Sequence, residues 1–292
     1  MKIAIYGRST SDNTSEYIQL LFHKLNEFKA EIQVYEPFYA HIKQKLEIFG
    51  NIKTFNSHKD LTADTSAMLS LGGDGTFLET LSFVRDSGIP VLGINTGRLG
   101  FLANVAKSEI RAAMEALGER KYSIEKRTLL SVSSPAGIFG EVNYGLNELT
   151  ILKKDTSAMI TIHAYINGDY LNSYFADGLI IATPTGSTAY SLSCGGPLVM
   201  PDSGNFVITP IAPHNLNVRP LVISDSNAIT LKVEGRSPHY LVTLDSRNQV
   251  LETSVEVHIR KADFTANVIK LNNQDFFTTI RNKLLWGLDK RN

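Results

Sequence analysis

Ala67-Met-Leu-Ser-Leu-Gly-Gly-Asp-Gly-Thr76 is the stretch that decides the fold. Its apolar first half, Ala67–Leu71, is typical of a buried strand, and residues Phe77–Arg85 after it are predicted to form a helix. A strand that turns through glycines into a helix is the building unit of an open α/β domain. Consecutive glycines let the backbone approach a ligand, and N–H groups at a helix start favour phosphate.

Asp74, in the middle of this turn, is the unexpected residue. A carboxylate beside a phosphate is electrostatically unfavourable unless it takes up a proton or meets a metal ion. A group that accepts a hydroxyl proton during phosphoryl transfer belongs in this position. A lone Gly-Asp-Gly is more often an ordinary β-turn, but the two further glycines and Thr76 favour a functional interpretation. No Gly-Lys-Ser/Thr follows, so the turn is not a Walker loop.

The alternation of strand and helix extends over the first third of the chain. Strands are predicted at Lys2–Tyr6, Glu31–Tyr35 and Pro90–Ile94. Helical spacing of apolar residues runs through 18–28, 38–49 and 108–120. This order predicts an α/β N-terminal domain, residues 1–121, with an open, mainly parallel sheet.

Beyond about Tyr122 short β-rich runs dominate. They are Leu129–Ser133, Leu149–Leu152, Met159–Ile166, Leu179–Ala182, Ile229–Val233, Tyr240–Leu244 and Val255–Arg260. Asn167-Gly168, between two such runs, is a strong hairpin signal. We therefore expect an all-β C-terminal domain, residues 122–270. A C-terminal helical segment, residues 271–292, closes the chain, with its helix at Asp275–Trp286.

Composition narrows the class of protein. The 292 residues carry 29 Lys+Arg and 29 Asp+Glu, divided as 14 basic and 15 acidic side chains in residues 1–125 and 15 and 14 in residues 126–292. Since neither half has an excess of basic residues, a polybasic arm for nucleic acid is excluded. One cysteine, Cys194, excludes an internal disulfide and fits a reducing cytoplasm. The longest uncharged run is Gly178–Pro201, but 13 of its 24 residues are Gly, Pro, Ser or Thr. Such a run does not form a membrane helix, so we expect neither a nucleic-acid nor a membrane partner.

Two motifs of the second half suit a nucleotide. Asn147-Glu148, just before an apolar strand, offers an amide and a carboxylate that can bind an adenine edge or a ribose diol; a solvated strand start fits equally well. The uncharged segment after Asp177 turns through Pro184 and Gly186. It then presents hydroxyl groups suited to a neutral heteroaromatic ring and sugar, on Ser187, Thr188, Tyr190, Ser191 and Ser193.

Taken in order, five motifs resemble the NAD kinase family over essentially the whole chain. They are Gly72–Thr76, Gly93–Leu102, Asn147-Glu148, Asp177–Pro197 and Thr209–Pro220. The first motif is shared with phosphofructokinases and with diacylglycerol and sphingosine kinases. Thr-Gly-Ser-Thr-Ala-Tyr, followed by Ser-Leu-Ser and Gly-Gly-Pro, is much more specific to NAD kinases.

The resemblance implies ATP-dependent phosphorylation of the adenosine-ribose 2′-hydroxyl of NAD, giving NADP, with Mg²⁺ carried in by ATP. It also implies a homo-oligomer, dimer or tetramer, with the NAD site near a subunit interface.

By the same match, Asp74 is the catalytic proton acceptor, Gly75 lies against NAD, and Asp177 binds the nicotinamide end. The other dinucleotide-binding residues that the match implies are Asn147, Glu148, Thr188, Ala189, Tyr190, Ser191, Leu192, Ser193, Ala212 and Arg247.

Two departures from the family pattern stand out. Phe175 lies where many members have arginine, and Arg247 lies where many have glutamine. Two other functions stay open at this point. A lipid kinase of the diacylglycerol or sphingosine type shares the first motif, and a non-catalytic NAD-binding sensor would share the second-half motifs. The hydroxyls and carboxylate of Asp177–Ser193 disfavour the lipid kinase, and Asp74 disfavours the sensor.

Overall fold

The computed structural model describes residues 1–8, 14–48, 52–97, 100–154, 159–272 and 275–286. The chain divides into two compact units, Met1–Lys126 with Ala266–Asn292, and Arg127–Thr265. Chain connectivity therefore crosses from one unit to the other twice.

A parallel sheet forms the centre of the first unit. Its strands are β1 (Lys2–Gly7), β2 (Glu31–Tyr35), β3 (Ile52–Phe55), β4 (Ala67–Leu71), β5 (Val91–Asn95) and the short β6 (Val105–Ala106). Five of them are arranged in the order β5-β4-β1-β2-β3, and β6 pairs with β5. Strands β1, β4 and β5 are buried almost throughout, as expected of a parallel sheet covered on both faces.

Helices pack on this sheet through apolar stripes. They are α1 (Ser15–Glu27), α2 (Glu36–Ile42), α3 (Asp74–Val84) and α4 (Ile110–Gly118). Ile18, Leu21 and Leu25 of α1 recur at helical spacing and join one core with Ala113 and Leu117 of α4. The predicted α/β class of the first unit is confirmed.

The predicted helix at 38–49 is wrong in its extent. Helix α2 starts at Glu36, where Pro37 fits the first turn, and ends at Ile42. Leu46 and Ile48 follow the helix and still pack, partly buried, on the same core. Their spacing therefore imitates a longer helix, and Phe49 lies outside the described residues.

The second unit is built from antiparallel strands. They are β7 (Tyr122–Ser134), β8 (Tyr144–Gly145), β9 (Glu148–Lys153), β10 (Ile160–Ile166), β11 (Asp169–Ala176), β12 (Gly178–Ala182), β13 (Asn205–Ile211), β14 (Leu221–Ser224), β15 (Ile229–Glu234), β16 (His239–Leu244), β17 (Arg247–Glu252) and β18 (Val257–Leu271). One sheet has the order β14-β13-β12-β9-β16-β17, and β11-β10-β15-β18 forms another antiparallel array. The Asn167-Gly168 hairpin is confirmed, with φ of +52° and +92° at its two residues.

Helical structure in the second unit is limited to two short turns among the described residues, a 3₁₀ turn at Thr185–Thr188 and α5 (Tyr190–Ser193). The sequence predicts a turn through Pro184 and Gly186, but the helical character of the two turns was not predicted, because neither is long enough to show a helical period. Near the chain end α6 (Phe276–Leu284) confirms the C-terminal helix, with Asp275 capping it through the N–H of Thr278. No helix in the described part of the chain is both long enough and apolar enough to span a membrane.

Candidate active site

Asp74 opens α3 directly after β4, and its carboxylate binds the backbone of a neighbouring loop. Oδ1 accepts the N–H groups of Leu102 and Ala103 at 3.0 and 2.9 Å, and Oδ2 accepts that of Phe101 at 2.8 Å. Each carboxylate oxygen has two lone-pair positions. Of the contacts described, Oδ1 has two and Oδ2 has one. Among the described contacts, Oδ2 therefore has room for one more hydrogen-bond donor.

Gly100 lets the loop approach Asp74 this closely. A Cβ added to Gly100 would lie 1.8 Å from Oδ1 of Asp74, so any side chain there would displace the carboxylate. The loop reaches Asp74 because β4 and β5 are parallel neighbours, with Leu71 beside Ile94, and both strands end at the same edge. Arg98 and Leu99 of this predicted motif lie outside the described residues.

The start of α3 leaves room for a ligand. Gly73 occupies the N-cap position without a side-chain cap. A Cβ built on Gly73 or Gly75 would meet no described atom within 4 Å. The N-terminus of an eleven-residue helix with open glycines is an environment that favours an anion such as a phosphate.

In the second unit a different aspartate, Asp245, holds the Asn147-Glu148 motif. Oδ1 of Asp245 accepts the N–H groups of Asn147 and Glu148 at 2.8 and 3.2 Å, and Oδ2 accepts that of Leu146 at 2.9 Å. In return the N–H of Asp245 donates to the carbonyl of Glu148 at 3.0 Å. Sequence reasoning left Asp245 out of the site, although an Asp-Ser pair after the apolar run of β16 is a turn signal.

The uncharged segment packs on the opposite side of the same motif. The N–H of Thr183 donates to the carbonyl of Asn147 at 2.8 Å, and its hydroxyl donates to the carbonyl of Leu146. Gly186 is in direct contact, since a Cβ there would lie 2.0 Å from the Asn147 oxygen. The structure thus brings together two motifs that are about 40 residues apart in sequence.

The carboxyl of Glu148 is enclosed by this arrangement. It accepts the backbone N–H of Tyr190, while its Oε2 is buried without a hydrogen-bond partner among the described residues. Burial, together with the nearby Asp245, raises the pKa of Glu148 to about 8. Glu148 is therefore mainly a neutral acid at pH 7.

The hydroxyl groups of the uncharged segment divide into two kinds. Ser187 and Ser191 are buried and bond within the unit, Ser187 to the carbonyl of Pro184 at 2.7 Å and Ser191 to the hydroxyl of Thr209 at 2.8 Å. Thr188 donates to the carbonyl of Thr185 at 3.0 Å. These three hydroxyls stabilise the turn. Tyr190 and Ser193 are exposed, and Ala189 and Leu192 are half-buried.

Asp177 and Ala212 lie on adjacent strand ends. The N–H of Asp177 donates to the carbonyl of Ile211 at 3.0 Å, and Lys153 Nζ lies 2.6 Å from Asp177 Oδ1. Ala212 has a φ of +44°, a left-handed conformation that is strained for alanine and that clusters at functional sites. Phe175 is 44% exposed and contacts the ring of His214 edge-on, with 5.6 Å between ring centroids.

The side chain of Arg247 is hydrogen-bonded to backbone carbonyl groups. Its guanidinium donates to the carbonyl oxygens of Val142 and Tyr144 and lies over the ring of Phe139, 5.8 Å from the centroid.

The predicted site residues are divided between the units. Asp74 and Gly75 belong to the first unit, and the others to the second. Within the described part of the chain no three His, Cys, Asp or Glu side chains are grouped so as to hold a metal ion.

Glu148→Gln is expected to change how stability depends on pH. The folded-state pKa of Glu148 lies above its ordinary value of 4.5. The unfolded chain therefore releases this proton first, and the contribution to stability is lost as the pH rises from about 4.5 to about 8. The loss amounts to about 1.4 kcal/mol per unit of raised pKa. We expect urea unfolding at pH 5, 6.5 and 8 to show that the free energy of unfolding of the variant increases relative to that of the wild type as the pH rises. The exposed Glu252→Gln is the control, and parallel pH curves for wild type and Glu148→Gln would contradict the assignment.

Comparisons with known proteins identify the family. Residues 11–122 match the model of the ATP-NAD kinase N-terminal domain, and residues 146–271 match that of the ATP-NAD kinase C-terminal domain. The chain is 50% identical over 294 residues to a curated NAD kinase of Flavobacterium psychrophilum, and 45% identical over 291 residues to one of Bacteroides fragilis. Both similarities cover 100% of each chain.

Two solved structures share the fold. The crystal structure of yeast NADH kinase complexed with NADH has a TM-score of 0.86 at 23% identity, covering 99% of this chain and 89% of that one. An NAD kinase from Archaeoglobus fulgidus in complex with ATP has a TM-score of 0.73 at 24% identity, covering 96% and 99%. With both domain models and full-length relatives in agreement, the chain belongs to the NAD kinase family.

Proposed function

We propose that this protein transfers the γ-phosphoryl group of ATP to the 2′-hydroxyl of the adenosine ribose of NAD, giving NADP. Membership of the NAD kinase family supports ATP-dependent phosphorylation of NAD. The choice of the 2′-hydroxyl and the role of each residue are the finer parts of the proposal. The observation that carries it is Asp74, a carboxylate at the glycine-rich start of α3 whose Oδ2 accepts a single N–H group from the described residues.

Asp74 accepts the proton in this mechanism. The ribose 2′-oxygen attacks the γ-phosphorus, the bond to the β-phosphate oxygen breaks, and ADP leaves. The hydroxyl proton passes to Oδ2 of Asp74, the oxygen that accepts one backbone N–H where Oδ1 accepts two. The three N–H groups fix the orientation of the carboxylate, so that little reorganisation is needed when the proton arrives.

Groups close to the triphosphate offset its negative charge. Magnesium carried in with the ATP substrate would offset part of the charge of the phosphates. The chain itself supplies the open backbone of Gly73 and Gly75 and the positive end of α3.

The dinucleotide binds along the second-unit motif. Asn147 and Glu148 hold the adenosine part, with Tyr190, which is exposed enough to stack on a base, beside them. Asp177 and Ala212 lie at the nicotinamide end, and their adjacent strand ends support a shared contact with one ligand group. The rest of the segment lines the NAD pocket; these residues are Thr188, Ala189, Ser191, Leu192 and Ser193. Ser191 contributes by stabilising the turn through its buried hydrogen bond to Thr209.

We further propose a cytoplasmic homo-oligomer, dimer or tetramer, with the NAD site near a subunit interface. Apolar side chains exposed in the second unit support it, with Leu216 at 87% and Val222 at 43%. Val222 lies on β14, an edge strand. Light scattering coupled to gel filtration gives the subunit number directly.

Formation of NADP tests the function. Purified protein incubated with NAD, ATP and magnesium should release ADP and NADP in equal amounts, with the new phosphate on the adenosine 2′-position by NMR. Parallel reactions offer diacylglycerol or sphingosine in place of NAD and should give no phosphorylated lipid. A phosphorylated lipid without NADP would identify a lipid kinase, and NAD binding without turnover would identify a sensor.

Asp74→Asn should retain NAD binding and lose turnover. The amide has the shape of the carboxylate but cannot take up the proton, so kcat is expected to fall by about 10²–10⁴-fold while the Kd for NAD stays within about threefold. Steady-state kinetics and calorimetric titration with NAD measure the two quantities. Near-wild-type turnover at normal NAD affinity would show that Asp74 is not the base.

A further inference from the structure

We propose that Asp245 is a positioning residue of the dinucleotide site, because together with Arg247 it clamps residues 142–148 and holds Asn147 and Glu148 in the geometry that binds NAD. The inference rests on the proposed role of Asn147 and Glu148 in NAD binding. It assigns a function to a turn between β16 and β17 that the mechanism above does not use.

Two residues of one hairpin bind the backbone of residues 142–148, one accepting from its N–H groups and the other donating to its carbonyl groups. Asp245 accepts three consecutive N–H groups, those of residues 146–148. Arg247, two residues further on, donates to the carbonyls of Val142 and Tyr144. Charge-assisted bonds of this kind are stronger than bonds between neutral groups.

Close packing shows that the clamp is fitted to its segment. A Cβ on Gly145 would lie 3.2 Å from each carboxylate oxygen of Asp245. Asp245 itself has a φ of +51°, which an aspartate adopts more readily than most residues but still at a cost. The positive charge of Arg247 lowers the pKa of Asp245 against the effect of burial, and Asp245 acts on Arg247 in return.

The charge of Asp245 also acts on the side chain that it positions. The pKa of Asp245 is raised by its burial, and the three N–H donors and Arg247 act in the opposite direction. Glu148 is stabilised by one N–H, that of Tyr190, and Asp245 adds to burial in raising its pKa. The other titratable groups facing Glu148 are the Tyr190 phenol and the Cys194 thiol, and both lie on or beside α5.

The pH dependence of NAD affinity distinguishes a positioning residue from a clamp that only stabilises the fold. If the NAD ribose donates to the ionised carboxylate of Glu148, NAD affinity increases with pH and levels off above about 8. Removing the charge of Asp245 must then move this midpoint to lower pH. A purely structural defect lowers stability or affinity and leaves the midpoint unchanged.

Asp245→Asn is the test, measured as the Kd for NAD by calorimetry between pH 6 and pH 9.5. We expect the limiting affinity at high pH to fall about tenfold and the midpoint to move down by at least half a pH unit. The KM for ATP should change less than twofold. Asp263→Asn, which removes an 80% exposed carboxylate of the same unit, is the matched control and should behave as wild type.

Two further variants keep the test decisive. Glu148→Gln should abolish the pH dependence of NAD affinity, alone and combined with Asp245→Asn. If Asp245→Asn fails to fold, Arg247→Met removes the other half of the clamp, since methionine has no donor for the carbonyls of Val142 and Tyr144, and should raise the KM for NAD about tenfold with kcat within twofold. Wild-type NAD affinity and an unshifted midpoint in Asp245→Asn, or a wild-type KM in Arg247→Met, would overturn the proposal. Absence of NADP from the wild-type reaction would overturn the proposed function instead, since the NAD titrations need no turnover.

Discussion

The carboxylate of Asp74 and the three backbone N–H groups of Phe101, Leu102 and Ala103 form the interaction on which the glycine-rich edge of the first unit depends. It joins the end of β4, the start of α3 and the loop after β5 at one edge of the parallel sheet. Gly100 is required by it, because a side chain there would occupy the position of Asp74 Oδ1. One residue thereby joins a strand, a helix and a loop of the first unit.

The same device recurs at Asp245, which accepts three consecutive N–H groups of residues 146–148. Both carboxylates accept hydrogen bonds from backbone N–H groups that a loop cannot pair by itself.

The net charge of the chain bears on how it binds its substrates. A chain with 29 basic and 29 acidic side chains has no net electrostatic field with which to attract polyanionic substrates. Our proposal therefore assigns the recognition of NAD and ATP to local groups: oriented N–H donors, open glycines and magnesium brought in by ATP.

Sequence patterns predicted the elements whose signal is local. Ala67–Leu71 is a strand to the residue, and the Asn167-Gly168 turn has the φ values its type demands. The strands without a prediction were mostly edge strands, β3, β11, β14 and β17, which have one sheet neighbour and more polar faces. Pro210 concealed β13, since proline argues against an inner strand. The role of Asp245 was not predicted, because its hydrogen-bond partners are about 100 residues away in sequence. The buried hydrogen bonds of Ser187 and Ser191 were not predicted either, because the spacing of residues in the sequence does not indicate their partners.

Amide hydrogen exchange at Phe101, Leu102 and Ala103 tests most directly whether Asp74 organises this loop. Comparison of the wild type with Asp74→Ala measures the protection that the carboxylate provides. Our account predicts that exchange at these three amides accelerates at least about tenfold in the variant, because a hydrogen bond to a charged group is worth about 1.5–3 kcal/mol. Exchange in β1 should stay unchanged. Equal exchange at the three amides in both proteins would contradict the account.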